Sequence, residues 1–440
     1  MIPRRFLRLP VIGCFFALCG ILLYTIYSTG HINKLNPYTY TTGKAAVYRP
    51  ASGKPAKVIL LESGGSHEEV TTAFLTSLVE TTTKSSAFVY PFFKLVRFQM
   101  GPIMKETIGN HTNVAKYVHS DRLKEYKTRV GRPDVVLSVT CEHDSKEHSA
   151  VFNEWLEQGV SLVCVVHHAD RWFAESDYGH YKRLAPWIQK GQVTFVTLSD
   201  HVDKHLKDQA AATWKQEDRD KLKAKVFVPV FRAPTRPHKS PMQVLGLNLQ
   251  GDFDPKRRDY KSLFGQLAKI ADSMSAIKMY LVGHGVPPEV PEQIKSKVEF
   301  KSDLSFTDFY GHMSEGLAIL PAFASDDYYS EKASSSVPAS IIAGVPLVAA
   351  KKLLDAYTYL SVNEVWFAEE GETDIDAIHR LVTQIPSPEA LEQQLRFRQR
   401  KLLNKRESLI RLNGRTLVSL LQHSTGTDES YYRKEWEWEW

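Results

Sequence analysis

The chain has 440 residues, 43% of them hydrophobic and 24% charged, with a formal net charge of +6. That length exceeds one ordinary core and favours two domains with appendages, and the composition excludes a disordered or low-complexity chain. With no concentrated basic face, the mild positive surplus also speaks against a nucleic-acid binder.

Arg4, Arg5 and Arg8 precede an uncharged stretch from Leu9 to His31. About 20 apolar residues cross a bilayer as a helix, and arginines on the near side place the N-terminus in the cytosol. Residues 1–8 therefore read as a cytosolic tail and 9–30 as a transmembrane signal-anchor, with Tyr24 and Tyr27 as an interfacial belt. The competing reading is a cleaved signal peptide with Ser28-Thr29-Gly30 as the processing site. Residues 31–55, rich in Tyr, Thr and Pro, form a stem.

From there a rhythm of strand, turn and helix begins. "AKVILLES" is an apolar run entering "GGSHEEV", followed by the helical "TTAFLTSLVETTT". "PDVVLSVTCEHD", "SLVCVVHHADRW" and "VTFVTLSDHVDKHL" repeat it, with a helix ending at Gly159 between the first two. Short continuous apolar runs alternating with helices indicate a parallel sheet covered on both faces. This first domain spans 56–232. A basic, proline-studded linker follows at 233–242, and the rhythm restarts over 243–387 with "QVLGLNLQG", "IKMYLVGHG" and "GLAILPAF". A charged helix and tail occupy 388–440, where the closing "YYRKEWEWEW" reads as a frayed end. The fold class is α/β, two doubly wound Rossmann-like domains facing across a cleft.

Cys14 and Cys19 lie in the anchor, while Cys141 and Cys164 sit at or in buried strands. The latter pair reads as two adjacent core thiols, with a disulfide as the alternative. Asn110-His111-Thr112 is a glycosylation sequon if that region is lumenal.

Ligands of open α/β sheets bind beyond the carboxyl ends of the strands, and the residues there are unusually polar. "SSSVPASIIAG" reads as a helix with serine at the cap, Pro338 in the first turn and Gly344 just past the end. Its N-terminus offers unpaired amides, the hydroxyls of Ser334, Ser335 and Ser336, and the neighbouring Lys332 to an anion. Lys256, Arg257 and Arg258 follow another strand and suit a diphosphate. Gly64 and Gly65 let backbone approach a phosphate or sugar closely, with Glu62 and His67 beside them as sugar contacts. In "VVHHADRW", His168 is favoured over His167 for the sugar, with Asp170 holding it or touching an acceptor hydroxyl. No metal is expected, because His-His-x-Asp and "HEE" lack zinc spacing.

Residues 243–350 resemble the donor-binding domain of GT-B glycosyltransferases, most closely the retaining family-4-like group. The resemblance rests on "LNLQGDFDPKRRDYKSL", "MYLVGHG" and "EKASSSVPASIIAGVPLVA"; residues 56–232 resemble the acceptor-side domain more loosely. Together with the N-terminal anchor it implies a type II Golgi or endoplasmic-reticulum membrane enzyme with a lumenal catalytic domain. Such an enzyme moves a sugar from a nucleotide-diphosphate donor to a glycan or glycoconjugate, with retention and without a metal or other cofactor. That family carries two glutamates eight positions apart. The first falls on Glu331 and by resemblance contacts the donor sugar; the second, which binds the ribose, falls on Ala339 and is missing. The alternatives are a lapsed GT-B protein that binds glycans or partners without turnover, and a sugar-nucleotide epimerase.

Overall fold

The structure is a computed structural model and describes residues 46–125, 131–239 and 245–425. The cytosolic tail, the anchor, most of the stem and the Glu-Trp tail lie outside the described residues. Among the described residues no helix is long and apolar enough to cross a membrane.

Two parallel sheets organise the chain. The first contains β1 (Ala56–Glu62), β2 (Ala87–Phe93), β3 (Val118–His119), β4 (Val135–Ser138), β5 (Ser161–Val166), β6 (Val193–Thr197) and β7 (Ala224–Val226). Their spatial order is β3-β2-β1-β4-β5-β6-β7, every neighbour parallel. The second contains β8 (Leu245–Asp252), β9 (Ile277–His284), β10 (Val298–Ser302), β11 (Ala318–Ile319), β12 (Leu347–Ala350) and β13 (Val365–Ala368). These lie in the order β10-β9-β8-β11-β12-β13, again all parallel. Helices on both faces bury the strands on both sides, so β4 and most of β1 and β5 are apolar without alternation. The chain reverses direction across each sheet between β1 and β4 and between β8 and β11, and the crevices at those switch points take ligands in this architecture.

Two details depart from the sequence reading. Tyr48, assigned to the stem, is fully buried, and its amide donates to Thr81 O at 2.8 Å, so the first domain's packing starts before Ala56. Cys141 is not in a strand: β4 ends at Ser138, and Cys141 opens the helix Cys141–Glu147. There its sulfur meets Cys164 of β5 in a disulfide rather than as a free thiol.

The helix Pro388–Thr425 ties the halves together. It packs on the helix Glu68–Thr81 of the first domain and on Ser336–Ala343 of the second. Asn413 Nδ2 donates to Val228 O at 2.6 Å, and Arg406 Nη1 donates to Ile342 O at 3.1 Å. A Cβ at position 414 would come within 2.8 Å of Thr81 Cγ2, so any side chain there would force Thr81 or the helix to shift.

Candidate functional site

At the end of β1 the chain satisfies its own turn. Thr140 Oγ1 accepts from the amides of Ser63 and Gly64, each at 3.1 Å, and Glu62 Oε1 accepts from those of Gly65 (2.5 Å) and Ser66 (3.3 Å). The Gly64-Gly65 amides are thus taken, and the turn offers no free donors to a phosphate; that correction arises because Thr140 and Glu62 cap it from within. Glu62 is fully buried, and desolvation pushes its carboxyl up to about 7 against the pull of the two amides. Asp144 stitches the turn to β4, accepting from Ser138 Oγ (2.6 Å), Thr140 Oγ1 (2.7 Å) and the Ser63 amide (3.0 Å).

Beyond β5, one carboxylate positions the histidine pair. Glu142 Oε1 accepts from the amides of His167 (3.1 Å) and His168 (3.0 Å) and from Trp172 Nε1 (3.0 Å). Glu142 follows directly on the disulfide-bonded Cys141, which moors it to β5. His167 Nε2 bonds Val139 O at 2.8 Å, and its ring stacks on His67 at 3.8 Å. Desolvation, then the charges of His167 and His168, hold His67 well below the usual imidazole range, so His67 is neutral at pH 7. Burial likewise lowers His168, outweighing the attraction of Glu142.

The predicted catalytic residues, some 160 positions apart in sequence, converge. His168 pairs through its backbone with Lys332 as an antiparallel bridge, and the Ala169 amide donates to Glu331 O at 3.3 Å. His168 Nδ1 stands 3.8 Å from Asp170 Oδ1, too far for a hydrogen bond, and both atoms are buried without partners. Lys332 Nζ is 2.9 Å from Asp327 Oδ2 and 3.6 Å from Glu331 Oε1. Its charge is therefore already balanced, contrary to the expectation of a free cation. His201 clasps the same seam: Nε2 lies 3.0 Å from Lys332 O and Nδ1 3.0 Å from Ala356 O.

The helix Ser336–Ala343 has Pro338 in its first turn and ends on Gly344 at φ 69°, as its sequence predicts. Its serines behave otherwise. Ser334 and Ser336 are buried; the Ser334 amide donates to the Tyr357 hydroxyl (2.9 Å) and the Ser336 amide to Ser334 Oγ (3.2 Å). Ser335 alone is exposed, and its Oγ accepts from Gln250 Nε2 at 3.0 Å. The protein's own hydroxyls thus fill much of the expected anion site.

The basic loop divides similarly. Lys256 is exposed, and Arg257 pairs with Asp252 at 3.1 Å. Arg258 is only 5% exposed, between the exit of β8 and the helix tip. Its Nη2 donates to Gln250 O (3.0 Å) and to Ser336 Oγ (2.8 Å), while Phe323 lies 5.5 Å below the guanidinium. Among the described residues no carboxylate is within 4 Å of it, and its Nε is buried without a partner. Desolvation lowers its pKa. A cavity of about 1030 Å³ opens beside it at the exits of β8 and β9, walled by Phe253, Lys261, Val286 and Pro287. Asn110 is exposed after the helix Gly101–Ile108. Among the described residues no group of three or more His, Cys, Asp and Glu is arranged to hold a metal ion.

Sequence reasoning assigned no role to Glu142, Asp144, His201 or Tyr357. Their positions just after strands drew notice to the first two, but the partners of all four come from remote segments.

Two parallel α/β domains whose switch points share one crevice define the GT-B architecture, and solved structures agree. Anabaena Alr3699/HepE in complex with UDP and glucose matches at a TM-score of 0.53 and 12% identity, over 83% of this chain and all of that one. A glycosyltransferase from Rickettsia africae matches at 0.54 and 11% identity, over 84% of this chain and 98% of that one. Sucrose-phosphate synthase from Thermosynechococcus elongatus matches at 0.52 and 13% identity, over 87% and 99%. At these identities the likeness is one of fold. No protein-family model matches the chain, and a search of curated proteins finds no relative.

Proposed function

We propose that the protein is a glycosyltransferase that moves a sugar from a nucleoside-diphosphate donor to a glycan or glycoconjugate. The observation that carries this reading is Arg258. A buried guanidinium with no carboxylate in ion-pair range is costly, and it stands in a crevice where this architecture binds ligands. A diphosphate supplies the missing counter-charge through charge-assisted bonds. The fold, shared with a protein that holds UDP and glucose, supports the same reading.

In the reaction the bond between the anomeric carbon and the diphosphate oxygen breaks, and the electron pair leaves with the diphosphate. The acceptor hydroxyl forms the new bond to that carbon and gives up its proton to the departing diphosphate oxygen. Arg258 offsets the charge that grows on the leaving group, which is electrostatic stabilisation, so the proposal includes no divalent ion. His168, which pairs with Lys332 across the seam, and the nearby Asp170 contact sugar hydroxyls together with Glu331. Retention of configuration follows the resemblance. The disulfide Cys141–Cys164 favours an oxidising compartment and so supports a lumenal domain behind the 9–30 anchor, in the Golgi or endoplasmic reticulum, with Asn110 as a glycan acceptor.

A second reading, a GT-B protein that binds without turnover, draws on two observations: alanine at position 339, and helix-tip amides already partnered by Tyr357 and Ser334. Incubating the full-length protein with a panel of nucleotide sugars separates the two. The transferase reading expects slow donor hydrolysis, reduced on the order of 100-fold in Arg258→Met. Binding without hydrolysis supports the second reading, and recovery of an epimerised donor supports an epimerase.

A further inference from the structure

Among the described residues four non-glycine positions have left-handed backbone, and each lies beyond the carboxyl end of a strand. Phe98 (φ 45°) and Gln99 (φ 50°) follow β2, Asp303 (φ 54°) follows β10, and Ala322 (φ 41°) follows β11. A bulky residue keeps such a conformation only where its surroundings over-determine it. For Phe98 the restraint is visible. The neighbouring Arg97 donates to buried Glu68 from its amide (3.1 Å), Nε (2.8 Å) and Nη2 (3.2 Å), which fixes the loop to the helix Glu68–Thr81.

From that anchor the Phe98 ring crosses to the second domain. Its centroid lies 5.6 Å from that of His284 and 6.1 Å from that of Phe306, tilted 59° and 79°. His284 Nδ1 is 2.6 Å from Asp303 Oδ1, and both side chains are more than half exposed. His284 pairs in register with Asp252, and the Phe253 amide donates to His284 O at 2.7 Å, so this aromatic group adjoins the β8 exit that leads to Arg258. The helix that holds Ala339 cannot contribute a ribose carboxylate, because that position is an alanine buried at 1% exposure.

We propose that Phe98 is the stacking wall of a nucleobase subsite, lying on the base of a nucleoside diphosphate beside His284 and Phe306, with Asp303 accepting a hydrogen bond from the nucleoside. The proposal rests on the reading of Arg258 as a diphosphate ligand. It assigns nucleoside recognition to a first-domain loop, so binding couples the two domains. An aromatic face attracts any base, and the accepting carboxylate narrows the choice to bases or riboses presenting a donor.

Calorimetry on the full-length protein with UDP, GDP, ADP and inorganic pyrophosphate tests it. Phe98→Ala is expected to weaken the tightest of the three nucleotides on the order of 10-fold, to leave pyrophosphate affinity unchanged, and to be rescued by Phe98→Tyr. Unchanged or tighter nucleotide binding by Phe98→Ala overturns the proposal, as does an equal loss of pyrophosphate, which marks general damage. If neither nucleotides nor pyrophosphate bind the wild-type protein, the Arg258 reading itself fails. Nucleotide binding that ignores Phe98 sinks only the stacking wall.

Discussion

Glu62 shows how a single buried acid shapes this molecule. Its carboxyl, pushed from 4.5 to about 7 chiefly by desolvation, stays protonated in the folded chain over a range where the unfolded chain ionises freely. The folded state then binds more protons, so this contribution to stability is complete below about pH 4.5 and is lost as pH rises toward 7. Glu62→Gln keeps an oxygen for the Gly65 and Ser66 amides and abolishes the titration. Denaturation midpoints are expected to favour the variant above pH 7 and to converge with wild type near pH 4.5; a constant difference at both would contradict the assignment. Residues of this kind were half legible in the sequence. Glu62, His168 and Arg258 stood out because each lies at or just past the end of a strand, where ligands bind, and Glu331 stood out through the family resemblance. Whether their neighbours were free did not. Tyr357 caps Ser334 from 23 positions away, and Asp327 and Glu331 neutralise Lys332, so hydroxyls and cations counted as available are already engaged.

Elements followed the apolar runs where both faces of a strand are buried, as in β1, β5 and β9. β2, "AFVYPFF", escaped because Pro91 lacks an amide to give and argues against a strand flanked on both sides. It is tolerated because the flanking β3 spans only Val118–His119, leaving β2 close to an edge. The cysteine pair was misjudged for a related reason. The disulfide joins Cα atoms 5.2 Å apart, and the reading had put Cys141 at or in a strand rather than at a helix start. Closing a chain segment of 23 residues stabilises by about 3 kcal/mol on the loop-entropy model. Cys164→Ser, or reduction of the wild type, is expected to lower the melting temperature and to loosen Glu142 and the His168 loop, so that sugar turnover falls as well. A reduced protein with unaltered melting and turnover would show that the bridge restrains neither.

At the scale of the whole molecule, the seam between domains is closed by backbone pairing of His168 with Lys332, by His201, and by the helix Pro388–Thr425 lying across both halves. The two-domain plan was evident from the repeated rhythm, but this closure was not, because its partners lie in different halves of the chain. In this closed crevice, among the described residues, Arg258 stands with no carboxylate within 4 Å, and under the proposed function it meets an anionic leaving group. Arg258→Met tests this role most directly, by thermal unfolding with and without the best-binding nucleoside diphosphate. Removing a buried, unpaired charge is expected to leave the ligand-free melting temperature unchanged or raised, while the nucleotide-induced rise seen in wild type disappears. A variant that melts lower without ligand yet keeps the full nucleotide shift would contradict the account, for Arg258 would then be a structural residue and the diphosphate would bind elsewhere.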